Sequence, residues 1–118
     1  MTVPVPTTKR LYFRQALELL KPIPPLNTLT NRELDVLAEF LYYNDKYKDI
    51  ETSLRAKIIF DYETKLAMRE YLDIGEAPFN NILTSARKKN ILTKRGIVND
   101  YGLNPDKPDI TFKFTIAE

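Results

Sequence analysis

The sequence predicts a mainly α-helical fold that ends in a β-hairpin, an α+β arrangement. Between residues 11 and 86, apolar residues recur three or four positions apart, as they do along helices that bury one face. After Asn90 the spacing changes to two, and residues 110–116 alternate between apolar and polar side chains, as in a half-buried strand. A chain of 118 residues with 43% hydrophobic and 29% charged residues has the length and composition of one globular domain.

Residues 1–27 are predicted to form an N-terminal arm, a helix and a proline connector. Two prolines exclude helix from residues 1–6. The segment Leu11 to Leu20 is apolar over more than one stripe, which is typical of a helix buried on two sides. We therefore expect residues 1–25 to provide a homodimer contact or the contact to a protein assembly partner. The connector contains Pro22, Pro24 and Pro25.

The strongest local signal in the sequence is a helix start at Thr30. The Thr30 hydroxyl can accept a hydrogen bond from the backbone N–H of Glu33, and the Glu33 carboxylate can accept one from the Thr30 N–H. Leu29 and Leu34 occupy the two positions whose side chains pack across such a capping box. The sequence therefore predicts a helix whose buried stripe begins at Leu34 and continues through Leu37.

Two more helices are predicted before the hairpin. Residues 52–60 fit either a short helix or a strand, and the sequence leaves both open. Asp61 can cap a helix that runs to about Leu72, and Pro78 marks the start of another. Asn90 ends that last helix, because Asn tolerates the left-handed conformation. The side chains expected to face inward are Tyr62, Leu66, Ala67 and Tyr71 in the first helix and Phe79, Ile82, Leu83 and Ala86 in the second.

The hairpin is predicted to span residues 91–116. Residues 94–96 are a turn candidate, residues 97–103 a strand, residues 104–108 a turn or loop, and residues 110–116 the second long strand. Each long strand should place one face on the helices. We therefore expect one core that contains Leu37, Phe79, Ile82 and Phe112.

The composition argues against an enzyme. The chain has no Cys and no His, which excludes disulfides, thiolate metal sites and the commonest general base and metal ligand. We expect no cofactor, no metal and no small-molecule substrate. No apolar run approaches the roughly 20 residues that span a bilayer, and the first residues lack a signal-peptide pattern. The expectation is a cytoplasmic protein of a bacterial or phage-infected cell, or else a virion component.

The segment from residue 72 to residue 92 resembles winged helix-turn-helix proteins. Its apolar positions match the pattern L-x-I-S … V-x-x-L-x-x-x-L-x-x-K-G-L-I of multiple-antibiotic-resistance-type regulators. Gly75, Ala86 and Asn90 depart from this pattern, which has Ser, Leu and Gly there. The resemblance covers roughly residues 62–116. It implies a winged-helix domain at 28–118, preceded by the extra N-terminal helix, with a recognition helix at 78–89. The matching residues are Leu72, Ile74, Phe79, Ile82, Lys89, Ile91 and Leu92.

A second resemblance concerns Tyr101-Gly-Leu-Asn104-Pro105. It is similar to the Y-x-x-N-P that plasmid and phage replication initiators with winged helices often carry after the wing. The alternative is a strand that ends in an Asn-Pro turn. The whole chain also resembles small phage-encoded proteins.

The outer face of the recognition helix and the root of the wing carry side chains suited to duplex DNA. Asn can pair with adenine, Arg with guanine, and Thr can contact a thymine methyl group, while Lys and Arg contact phosphates. The candidate DNA-binding residues are Asn80, Asn81, Thr84, Arg87, Lys88, Lys89, Lys94 and Arg95. The alternative for the cations is a solvated helix end, since Lys and Arg favour the C-terminal dipole of any helix.

Two functions stay open at this point. The first is a DNA-binding transcription or replication regulator of phage or plasmid type. The second is an assembly module, such as a phage virion component, that uses the same fold for protein–protein contacts. Winged helices serve both purposes, so the fold alone does not decide between them.

Overall fold

The computed structural model describes residues 2–117, and this range is mainly helical with one small antiparallel sheet. It contains α1 (Lys9–Leu20), α2 (Asn31–Lys46), α3 (Thr52–Ile59), α4 (Tyr62–Leu72), α5 (Glu76–Lys88), β1 (Leu92–Thr93) and β2 (Gly96–Ile97). The predicted α+β class is confirmed, and the ambiguous segment 52–60 is a helix. None of the helices in this range has both the length and the apolar character that a membrane span needs.

Helix α2 lies at the centre and contacts α1, α3, α4 and α5. Its start is the predicted capping box: the Glu33 N–H donates to the Thr30 hydroxyl at 3.2 Å, and the Thr30 N–H donates to the Glu33 carboxylate at 3.0 Å. Leu34 and Leu37 are buried, as predicted. The sequence signal at Thr30 therefore fixes the element around which the core is built.

Helix α1 packs along α2 and belongs to the same core. Phe13 and Leu17 are fully buried, and two arginines of α1 form ion pairs with α2. The Arg10 guanidinium holds the buried Glu39 carboxylate with two hydrogen bonds. Arg14 Nε lies 2.6 Å from Asp35 Oδ1. The prediction that one face of this helix packs on the domain is confirmed, while Leu11 and Leu19 on its other side are exposed.

Helix α4 buries a different line of side chains from the one predicted. Tyr62 and Tyr71 are exposed, so neither faces inward as predicted, whereas Met68 is fully buried and Leu66 and Ala67 are half-buried. Six residues make about one and two-thirds turns, so Tyr62 and Met68 lie on different sides of the helix. Because α4 contacts α2 through the side that carries Met68, the inward orientation predicted for Tyr62 is wrong.

The hairpin after α5 is much shorter than predicted. β1 and β2 pair only at Leu92↔Ile97 and Thr93↔Gly96. The predicted strand 97–103 stops because its next side chains make turns: Asn99 Oδ1 accepts from Tyr101 N at 2.8 Å, and Asp100 Oδ1 accepts from Gly102 N at 2.9 Å. Such contacts bend the backbone away from a ladder.

Residues 110–116 are not part of the hairpin, which contradicts the predicted second strand. The preceding loop leads the chain away from β2, because Asp106 binds Lys48 Nζ at 2.7 Å and Lys9 Nζ at 3.7 Å. Phe112 is half-exposed and does not join the core as predicted, while Ile82 is partly buried and packs against the edge of the core. Leu37 and Phe79 are buried in the core, as predicted.

Candidate nucleic-acid interface

Helices α4 and α5 are joined by a tight connection with a left-handed residue. Asp73 has φ 53° and ends α4, and the Ile74 N–H donates to the Arg69 carbonyl at 3.0 Å. Gly75 then precedes α5 without a side-chain cap, since it has no hydroxyl to offer. The connection between the two helices is therefore three residues long, Asp73–Gly75.

Helix α5 has a buried face and an outer face. Phe79, Leu83 and Ala86 are buried against the core. Asn81, Thr84 and Lys88 are exposed and recur at helical spacing on the opposite side, flanked by Asn80 and Arg87. The Thr84 hydroxyl donates to the Asn80 carbonyl at 3.0 Å, which fixes the side chain and leaves its methyl group and lone pairs outside. The outer face therefore presents polar side chains that suit base edges.

The end of α5 and the hairpin are tied together by backbone contacts. Asn90 adopts the predicted left-handed conformation, with φ 59°. The Ile91 N–H donates to the Ala86 carbonyl at 2.9 Å, so Ile91 and Leu92 turn back into the core. The hairpin loop is Lys94–Arg95, held by Thr93 Oγ1, which accepts from Arg95 N at 3.2 Å. Both loop side chains are consequently exposed at the tip.

The charge on this part of the chain is entirely positive. Between Glu76 and Asp100 the sequence contains no Asp or Glu. Four cations of this stretch have no hydrogen bond or ion pair from their side chains within residues 2–117; they are Arg87, Lys88, Lys94 and Arg95. Arg10, Arg14 and Lys48, by contrast, are held by carboxylates. The four cations on α5 and the hairpin are therefore available to an external anion, and we call them the basic cluster.

Lys89 is directed into the protein rather than outwards. Its Nζ lies 2.8 Å from Glu33 Oε1 and 2.8 Å from the Thr28 carbonyl oxygen. Ser85, one turn earlier, donates to Glu33 Oε2 at 2.7 Å. The structure thus uses Lys89 to hold α5 against the start of α2, which separates it from the other candidate residues.

Glu33 is a junction that the sequence showed only in part. Burial would raise its pKa, but hydrogen bonds from Lys89, the Thr30 N–H and Ser85 outweigh this and lower the pKa to about 2. The capping box was visible as a local pattern. The contacts from Ser85 and Lys89 come from more than fifty residues away, so no local signal could have shown them.

The Y-x-x-N-P segment forms consecutive turns. Tyr101 has φ 57° and is half-buried, and burial raises the pKa of its phenol. Asn104 Oδ1 accepts from Asp106 N at 2.9 Å. The motif thus leads the chain from the hairpin to the salt bridges of Asp106.

Comparisons with known proteins found no match: no family model, curated protein or solved structure aligns with the chain. The functional argument therefore depends on the geometry and charge described above.

Proposed function

We propose that the chain is a winged-helix DNA-binding protein, a small transcription or replication regulator of phage or plasmid type. The observation that carries this proposal is the acid-free stretch between Glu76 and Asp100, which places the basic cluster on one helix end and the adjacent hairpin. A patch of unpaired cations on neighbouring elements is the electrostatic feature that attracts a polyanion.

In this proposal, the basic cluster binds DNA phosphates through the C-terminal end of α5 and the hairpin loop. Arg87 and Lys88 occupy the last turn of α5, and Lys94 and Arg95 the loop. Glu76 in the first turn of α5 disfavours a phosphate there. Contacts of this kind orient a protein on duplex DNA without reading its sequence.

In the same proposal, the outer face of α5 contacts the base edges and so recognises the DNA sequence. Asn80 and Asn81 can each pair with an adenine edge, and the Thr84 methyl group can contact a thymine. These side chains are exposed and lie on the same helix as Arg87 and Lys88. A helix that lies in the major groove would then bring base contacts and phosphate contacts together.

The test is fluorescence anisotropy of labelled duplexes, random and genomic, over a series of salt concentrations. Four phosphate contacts predict a slope of log K against log salt of about −3.6. Lys107→Ala is the matched control, because it removes one exposed cation outside the basic cluster. No binding at about 50 mM salt, where non-specific electrostatic attraction is strong, would overturn the proposal.

A second candidate function is an assembly module, such as a virion component. It is favoured by exposed apolar side chains at both chain ends, among them Val3, Val5, Phe114 and Ile116. An assembly partner that binds this surface would be retained when the basic cluster is neutralised. DNA binding would be lost in the same variants. Neutralising the basic cluster therefore distinguishes the two functions.

A further inference from the structure

We propose that residues 110–116 form an antiparallel β-pair with the same residues of a second copy of the chain. The segment reads Ile-Thr-Phe-Lys-Phe-Thr-Ile, which is identical in both directions about Lys113. Antiparallel strands related by a two-fold axis at Lys113 would place like residues opposite each other: Ile110 against Ile116, Thr111 against Thr115, and Phe112 against Phe114. The sequence is therefore self-complementary in the geometry that a symmetric dimer requires.

The segment has the composition of a strand but no strand partner among residues 2–117. Its apolar and polar residues alternate over seven positions, yet its backbone makes no backbone hydrogen bond within residues 2–117. Phe114 is 90% exposed and Ile116 is 85% exposed. An alternating segment with an unpaired edge and exposed aromatic side chains is a template for pairing with another chain.

Pairing about Lys113 would also cover the apolar groove beside α1. Ile110 and Phe112 line this groove together with Tyr12, Leu19 and the N-terminal arm. In the proposed register, Ile116 and Phe114 of the second copy lie next to Ile110 and Phe112. They would extend the apolar wall over the exposed Leu19 of the first copy. Because the contact is two-fold symmetric, each copy covers the groove of the other.

Cross-strand chemistry supports this register over pairing with an arbitrary sheet edge. Aromatic pairs and Thr–Thr pairs directly opposite each other stabilise antiparallel strands. The exception is Lys113, which would face Lys113 of the second copy on the solvent side and repel it. Salt screens such repulsion between exposed charges. The dimer should therefore strengthen with salt, whereas DNA binding should weaken.

The first test is sedimentation velocity of the full chain without DNA, over a range of protein and salt concentrations. A pair of seven-residue strands buries a surface area at the low end for specific complexes, below about 1,200 Å². The dimer should therefore dissociate on dilution. Phe114→Ser should abolish it, and Leu54→Ser, which removes a half-exposed apolar side chain of α3, should leave it intact. The first variant retains the fold because Phe114 lies outside the core.

The second test determines the strand register by reversing the charge of residue 113 in one of the two copies. Lys113→Glu mixed with the unchanged chain should form mixed dimers in preference to either homodimer, measured by native mass spectrometry. Lys113→Thr should tighten self-association. A monomer at every concentration tested, a dimer that tolerates Phe114→Ser, or a random mixture of dimers in the exchange would each overturn the proposal. DNA binding is measured separately, so either proposal can fail without the other.

Discussion

Lys89 at the end of α5 and Glu33 at the start of α2 form an ion pair with 2.8 Å between Nζ and Oε1. The same carboxylate accepts from the Thr30 N–H and from the Ser85 hydroxyl. One buried side chain thus caps α2 and fixes the end of the helix that carries the proposed DNA contacts. The Glu33 carboxylate therefore adds a polar contact to the apolar packing that holds α5 on the domain.

The first prediction concerns acid stability. The folded pKa of Glu33 is about 2, below its ordinary value of 4.5. The stabilisation is therefore complete above about pH 5 and is lost as the pH falls towards 2. A shift of this size corresponds to about 3 kcal/mol. Urea unfolding at a series of pH values should show that Glu33→Gln removes this part of the pH dependence.

Glu63→Gln is the control for this measurement, because Glu63 is exposed on α4. It should keep the loss of stability between pH 5 and pH 2 that the unchanged chain shows. If Glu33→Gln keeps the full loss of stability between pH 5 and pH 2, the carboxylate junction is not its source.

The second prediction compares two phenylalanines. Phe79 is 1% exposed in the core, so Phe79→Ala should cost about 3–5 kcal/mol through lost burial and the cavity left behind. Phe114→Ala, at 90% exposure, should change the unfolding free energy of the monomer little. Denaturant unfolding at low protein concentration measures both. Equal losses would contradict the described position of α5.

The third prediction concerns the cap of α2. Thr30→Ala removes the acceptor for the Glu33 N–H and should cost about 1 kcal/mol of unfolding free energy. Thr30→Ser keeps the hydroxyl and should restore most of that stability. A thermal melt that does not distinguish Ala from Ser at residue 30 would show that the cap contributes little.

The fourth prediction separates two kinds of DNA contact. Lys94→Ala should weaken binding to all duplexes and reduce the salt slope by about one unit. Asn81→Ala should cost about 1–3 kcal/mol on the preferred sequence and little elsewhere. Competition binding with specific and random duplexes measures both effects. If both variants behave alike, Asn81 does not read bases.

The sequence predicted most features that depend on neighbouring residues and fewer of those that depend on residues far apart in the chain. The capping box at Thr30 and the left-handed Asn90 follow from residue type and spacing, and both are confirmed. The alternation at 110–116 identified a strand-like segment, but it could not show that β2 offers this segment no edge. Pairing needs a second strand within reach, and the Asn99 and Asp100 turns followed by the Asp106 salt bridges lead the chain elsewhere.

The exposure of the candidate residues on α5 could be predicted only in part, for the same reason. Helical periodicity correctly placed Asn81, Thr84 and Lys88 on the exposed side of α5. It could not distinguish Lys89 from its neighbours, because a residue on the flank of a helix faces either water or the next element. The position of α2 decides this, and α2 is distant in sequence.

The ion pair between Arg10 and Glu39 has a consequence for how the chain comes apart. Glu39 is 2% exposed, and its charge is matched by an arginine from α1. If α1 detached, Glu39 would lose its ion-pair partner, and water would reach the side of α2 that Phe13 and Leu17 cover. Exposing this apolar surface costs free energy roughly in proportion to its area. The N-terminal helix therefore melts together with the rest, and a protease cut in the proline connector would release no independently stable remainder.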